Sequence, residues 1–322
     1  MKIKIVLISV TVFFAFPGWS IGQWAQAGKL EGVSVTALAA TESDIFAGTG
    51  RGVFCSSDNG MNWTAANSGI PEKAPVICLA VSETRIFAGT FGSGVFVSIN
   101  KGGKWSAFNS GLEDLRVMSL MLDGTDLFAA TMGGGVFLST NSGTGWRAVN
   151  SGLPEATSIN CLFKSGNYLF AGTDYRGYFV STDNGTNWTE IKSIIDVRNP
   201  VSCMAERGNY LFAGTVEGVF LSVDGGDSWE NVSQDLNSGL VGISGETSVM
   251  CLAVCGAKIF AGTDGGGVFL TTDNGKRWET VNSGLKYTSI FAFTVSGDYL
   301  FAGTQDGGVW RLRVSDISTE TR

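Results

Sequence analysis

The sequence predicts an all-β protein, a seven-bladed β-propeller of four-stranded antiparallel blades in which an N-terminal strand completes the last blade. Three observations predict it. A phrase consisting of an aromatic followed by Ala-Gly-Thr begins at Phe46, Phe87, Phe128, Phe170, Phe212, Phe260 and Phe301, with Ala130 replacing the glycine in the third copy. Successive copies lie 41, 41, 42, 42, 48 and 41 residues apart, the interval of a four-stranded propeller blade. Finally, the last copy ends after three strands, while a fourth-strand segment stands before the first copy.

Each repeat reads as four short strands, a to d. In the sixth they are Val249 to Val254, Ile259 to Thr263, Gly267 to Thr272 and Arg277 to Val281, with Gly, Asn, Asp or Ser at the junctions. The pieces are β-branched, aromatic and repeatedly cut by glycine, and no helical apolar spacing competes. The Ala-Gly of strand b removes side-chain bulk where a neighbouring blade must approach closely. Glycine accounts for 45 of 322 residues, and the repeat explains most of that excess.

The turn between strands c and d carries the most specific pattern. It reads SSDNGMNW from Ser56, SINKGGKW from Ser98, STNSGTGW from Ser139, STDNGTNW from Ser181, SVDGGDSW from Ser222 and TTDNGKRW from Thr271. An Asp at its third position can accept backbone N–H groups of its own turn while the glycine takes a positive φ. The Trp is expected to close the hairpin, removing ~150–250 Å² from water, worth about 4–6 kcal/mol. Asn100 and Asn141 stand where Asp58, Asp183, Asp224 and Asp273 stand elsewhere. An amide keeps the acceptor and loses the charge, so these positions are expected to be structural. That exchange argues against reading these acids as metal ligands or catalysts. The six turns, ending at Trp63, Trp105, Trp146, Trp188, Trp229 and Trp278, resemble the Asp-box, or bacterial neuraminidase repeat, over most of the chain.

Taken in order, residues 1–22 read as a secretory signal peptide. Lys2 and Lys4 open it, Ile5 to Phe16 form an apolar core, and Ser20-Ile21-Gly22 offers a small-residue cleavage site. The core is too short to span a bilayer, so an exported protein, periplasmic or extracellular, is expected. Residues 23–322 then form one domain. QWAQAG from Gln23 matches the strand-d segment NWTAAN from Asn62, and blade seven lacks its own strand d. Trp24 and its neighbours are therefore expected to supply it and leave no open edge.

Charge and cysteine usage mostly exclude things. The net charge of −7, or −9 without Lys2 and Lys4, makes nucleic acid an unfavourable partner. There is no histidine, which removes Ser-His-Asp chemistry and ordinary zinc sites. No metal or cofactor is expected, and a monomer is. Cys78, Cys161, Cys203 and Cys251 occupy one strand-a position, filled elsewhere by Ala37, Ser119 and Ala292. They read as small packing residues, since stacked sheets sit ~10 Å apart, beyond disulfide reach.

The loops that join d to a and b to c share one face, opposite the c–d turns. Most d–a loops repeat Asn-Ser-Gly-Leu, a turn formula. The departures cluster on blades four to six: a longer connection between Trp229 and Cys251, the stretch Ser193 to Val201, and b–c loops carrying Asp174-Tyr175-Arg176-Gly177 and Val216-Glu217-Gly218. A binding patch led by Tyr175, Arg176, Arg198 and Glu217 is expected there.

Two classes of function follow from the resemblance. Asp-boxes also occur in sialidases, which implies a glycosidase alternative. Its arginine triad would draw on Arg51, Arg116, Arg176 and Arg198, and its Tyr–Glu pair on Tyr175 and Glu217. Against it, no Arg-Ile-Pro motif opens the chain, sialidase propellers have six irregular blades, and the loops here are short. The regular pattern is more similar to photosystem II stability and assembly factors and to sortilin-like exported propellers. That likeness implies a non-catalytic scaffold for a protein or glycan partner and carries over no binding residue. A lectin-like variant would need exposed aromatics on the loop face, for which Phe91, Tyr175 and Tyr287 are candidates.

Overall fold

A computed structural model describes residues 22–30, 32–140, 145–174, 176–191, 199–233 and 248–317. It contains seven four-stranded antiparallel sheets. Blades one to six span 35–65, 76–107, 117–148, 159–191, 201–231 and 249–280. Blade seven is built from 290–313 together with strand β1, Ala25–Gln26, at its outer edge. Ala25 pairs with Arg311 and Gln26 with Trp310, and Ala27 N–H donates to the Val309 carbonyl at 2.8 Å. The chain thus closes its ring as the repeat count predicts.

Strand b is buried on both faces in every blade, because each sheet is sandwiched between its neighbours. The glycine there is a packing requirement. A Cβ on Gly89 would strike Cys78 Sγ of its own blade and Val117 Cγ1 of the next, the latter at 2.8 Å. Blade three carries Ala130 at this position, and its strand-a partner is Ser119 instead of a cysteine. The two substitutions exchange bulk across one pair.

All six cysteines are free thiols. Cys161 Sγ points to the Val201 carbonyl of the next blade at 3.6 Å and Cys251 Sγ to that of Ile290 at 3.7 Å. Burial pushes the Cys161 thiol up to about 12.

Strand d is shorter than the sequence suggests: in blade six it is Glu279–Thr280. In blades two, three and four the preceding Trp spends its backbone N–H on the connection that leads in from the preceding blade. Trp105 N–H donates to Ser68 O, Trp146 N–H to Ser110 O and Trp188 N–H to Ser151 O, at 2.7, 2.7 and 2.8 Å.

Candidate functional site

The c–d turns form one end of the ring. In blade one, Ser56 Oγ donates to Asp58 Oδ1 at 2.8 Å and accepts Gly60 N–H at 2.9 Å. Asp58 also accepts the backbone and side-chain N–H groups of Asn62, at 2.9 and 2.8 Å. Those donors hold its carboxyl down at about 2. Asp224 lies equally low, held by the hydroxyl and backbone N–H of Ser228. Asn100 repeats the geometry without a charge, accepting Ser98 Oγ at 2.9 Å and Lys104 N–H at 2.8 Å. Asn141 lies outside the described residues.

The tryptophans do more than close their own hairpins. Each indole Nε1–H reaches the outer strand of the preceding blade: Trp63 to Ala27 O, Trp105 to Ala66 O, Trp146 to Phe108 O, Trp188 to Val149 O, Trp278 to Val232 O and Trp24 to Val281 O, all between 2.6 and 2.9 Å. Trp229 departs from this pattern. Its indole donates to Tyr178 Oη at 2.6 Å and to Gly226 O at 3.1 Å. Tyr178 occupies the strand-c position held by Val53, Val95, Val136, Val219, Val268 and Val309 in the other blades. Its hydroxyl in turn donates to Gly226 O.

The opposite end carries the d–a and b–c loops. The Asn-Ser-Gly-Leu asparagines are fasteners there. Asn109 Oδ1 accepts Val95 N–H at 2.7 Å and its amide donates to Ser93 O at 3.0 Å; Asn67, Asn150 and Asn282 do the same in their own blades. Acidic groups on this face are also engaged. Asp264 accepts Ser289 Oγ at 2.6 Å and Asp306 accepts Ser34 Oγ at 2.8 Å, each from the next blade. Asp114 takes a two-pronged contact from Arg116, both distances 2.9 Å. Burial would raise the Asp114 carboxyl, and the guanidinium more than offsets this, leaving it lowered.

Of the four patch residues expected from sequence, Arg176 and Glu217 are described, while Tyr175 and Arg198 lie outside the described residues. Arg176 is exposed, with its backbone N–H on Thr173 Oγ1 at 3.0 Å. It borders a shallow cleft of about 270 Å³ formed with Ala156, Thr157, Ser158 and Asp174. Glu217 accepts Asn199 Nδ2 at 2.8 Å. No hydrogen bond or ion pair joins Arg176 to Glu217, so they share a face without forming a pair. Asn199 was not anticipated. It is buried, 3% exposed, at a position that Thr157 fills in blade four.

The face also holds an apolar group of which sequence reasoning named Phe91 and passed over Leu115 and Met132. Phe91, Leu115 and Met132 are 44%, 37% and 39% exposed, on adjoining loops of blades two and three. Gly92 N–H donates to Leu115 O, and Met132 N–H to Arg116 O, both at 3.0 Å. The signal was present as an aromatic and a methionine in otherwise glycine-rich b–c loops. Tyr287, by contrast, packs against Trp310, ring centroids 6.4 Å apart, and is only partly exposed.

The class of protein defined by this architecture is the seven-bladed β-propeller. No protein-family model matches the sequence, and neither does any curated protein. Solved structures do resemble it. The extracellular domain of the putative one component system BT4673 from B. thetaiotaomicron aligns with TM-score 0.73 and 17% identity over 91% of this chain and 40% of its own. YCF48 bound to D1 peptide aligns with TM-score 0.71 and 13% identity, covering 90% and 96% of the two chains. The GH74 xyloglucanase from Xanthomonas campestris gives TM-score 0.70 and 17% identity, covering 93% and 55%. The chain therefore spans well under two thirds of the first and third of these proteins. At such identities the likeness establishes the fold. Among the described residues, no helix is long and apolar enough to cross a membrane.

Proposed function

We propose that residues 23–322 form an exported, non-catalytic interaction scaffold whose d–a and b–c loop face binds a protein partner, residues 1–22 serving as its signal peptide. The observation that carries this reading is the character of that face. Phe91, Leu115 and Met132 stand exposed together on blades two and three, with Arg176 and the Asn199-supported Glu217 on blades four and five. An exposed apolar group and charged side chains on one face suit a protein contact. The surrounding Asn and Asp side chains spend their hydrogen bonds within and between blades, which suits a rigid platform. Two comparisons are compatible with the reading: YCF48 is described with a bound peptide, and BT4673 contributes an extracellular domain.

The c–d turns belong to the scaffold in this reading. They are Asp-boxes whose Asp58, Asp183, Asp224 and Asp273 satisfy their own backbones and whose tryptophans bind blade to blade. Arg116, one arginine of the sialidase alternative, is committed to Asp114, which weighs against an arginine triad.

The test is affinity capture from the exported fraction with the native chain and two variants, Arg176→Glu/Arg198→Glu and Phe91→Asp/Met132→Asp. Loss of the same captured protein with both variants supports the scaffold reading. Retention by both overturns the assignment of this face. A glycan array and a fluorogenic sialoside assay separate the lectin and glycosidase alternatives, and turnover of the sialoside would refute the non-catalytic claim.

A further inference from the structure

A second site lies at the c–d turn end, between blades five and six. A groove of about 450 Å³ is lined by Tyr210, Leu221, Val223, Glu230, Asn274 and Lys276, among others. Two of its lining side chains are exposed and largely apolar: Val223 is 64% and Tyr210 36% exposed. Asn274, in the c–d turn of blade six, lines it too.

The repeat itself shows what such a groove takes. At the equivalent junction of blades seven and one, Tyr299 occupies the place of Tyr210, Arg311 that of Leu221, and Asn59 that of Asn274. There Arg311 lies over the Tyr299 ring, its guanidinium carbon 5.1 Å from the centroid, and donates from Nη1 to Asn59 O at 2.7 Å. The groove is filled by the chain's own arginine. Between blades five and six, Leu221 has no N–H to donate and is too short to cover the ring, so Tyr210 stands 36% exposed and, among the described residues, the Asn274 carbonyl lacks the donor that Asn59 receives.

We propose that the blade five–six groove is a docking site for an arginine side chain presented by a protein partner. The guanidinium stacks on Tyr210, as a cation does on an aromatic face, and donates to the Asn274 main-chain carbonyl, the counterpart of the Asn59 carbonyl that Arg311 takes. Glu230 in the lining supplies the opposite charge, and Lys276, also in the lining, carries the same charge as the guanidinium. Arginine is favoured over lysine because a planar fork can stack and donate together. The site is separate from the loop face of blades four and five and stands whether or not that face binds anything.

The experiment is an NMR titration of the full mature chain with N-acetyl-arginine amide, using the lysine and citrulline analogues as comparisons. Expected are saturable shifts confined to Tyr210, Asn274 and their neighbours, with binding on the order of millimolar as befits a small fragment, weaker for lysine and lost for citrulline. Leu221→Arg should fill the groove as Arg311 fills its counterpart and abolish binding while keeping the fold. Arg311→Leu should create a second binding site at Tyr299. Absence of saturable shifts at Tyr210 and Asn274 in the native chain, or equal binding of citrulline, overturns the proposal. So does binding that survives Leu221→Arg in a folded protein.

Discussion

The indole N–H of Trp229 donates to the hydroxyl of Tyr178 at 2.6 Å, and the two rings meet edge to face with centroids 5.7 Å apart. Elsewhere around the ring the equivalent indole takes a carbonyl on the outer strand of the preceding blade. Blades four and five are therefore joined by side chains buried near the sheets, and the outer strand Thr189–Ile191 is not the indole's acceptor.

That difference predicts unequal costs for similar substitutions. Tyr178→Phe removes one hydroxyl but leaves Gly226 O within reach of the Trp229 indole, so it should cost about 1 kcal/mol or less. Trp105→Phe leaves Ala66 O without its donor in a buried seam and opens space, and should cost about 2–3 kcal/mol. Urea unfolding of the two variants checks the order.

Acid should weaken the c–d turns selectively. Asp58 and Asp224 titrate near 2 in the folded chain, against ~3.9 for an unfolded Asp. Between those values the unfolded chain binds more protons. The stabilisation is therefore complete above about pH 4 and is lost as pH falls through 2. Asp58→Asn/Asp224→Asn should fold at neutral pH, because Asn100 already shows an amide making the same contacts. The double variant should also lose stability less steeply between pH 4 and 2, which thermal melts across that range would show.

The strand-b glycine and the strand-a residue should behave as one unit. Gly89→Ala drives a Cβ into Cys78 and Val117 and should cost about 1–3 kcal/mol. Adding Cys78→Ser recreates the Ser119–Ala130 combination of blade three and should recover part of that loss. A double-mutant cycle showing no coupling would mean the contact is relieved elsewhere.

Thiol chemistry should follow burial. Cys161 faces a neighbouring blade with its pKa pushed up to about 12, so it should resist alkylation at pH 8 in the folded chain and react fully in denaturant. Cys55, part-buried in strand c of blade one, should react first. Mass spectrometry of the modified peptides gives the order.

How far the sequence could be read depends on whether a contact repeats. The blade count and the pairing of Ala25–Gln26 with the last blade were legible because seven copies share one register. The role of Asn67, Asn109, Asn150 and Asn282 was visible only as a turn formula, since their partners are backbone groups, which leave no mark in a sequence. The same holds for the indole acceptors, which are carbonyls on another blade. Tyr178 did leave a mark, a tyrosine where six blades have valine, and it went unread because it fits the apolar pattern of strand c. Asn199 and Leu115 stand in d–a loops that vary from blade to blade, where no copy sets an expectation.

The claim on which the architecture rests is that residues 23–27 are the fourth strand of blade seven, with Trp24 buried to 2% exposure and its indole on Val281 O at 2.6 Å. The most direct measurement compares urea unfolding of a chain beginning at Gln23 with one beginning at Gly28. A closed ring predicts that the shorter chain loses at least the 3–5 kcal/mol typical of deleting a buried Trp side chain, with blades six and seven exchanging amide hydrogens first. Identical unfolding midpoints and exchange patterns for the two chains would contradict it.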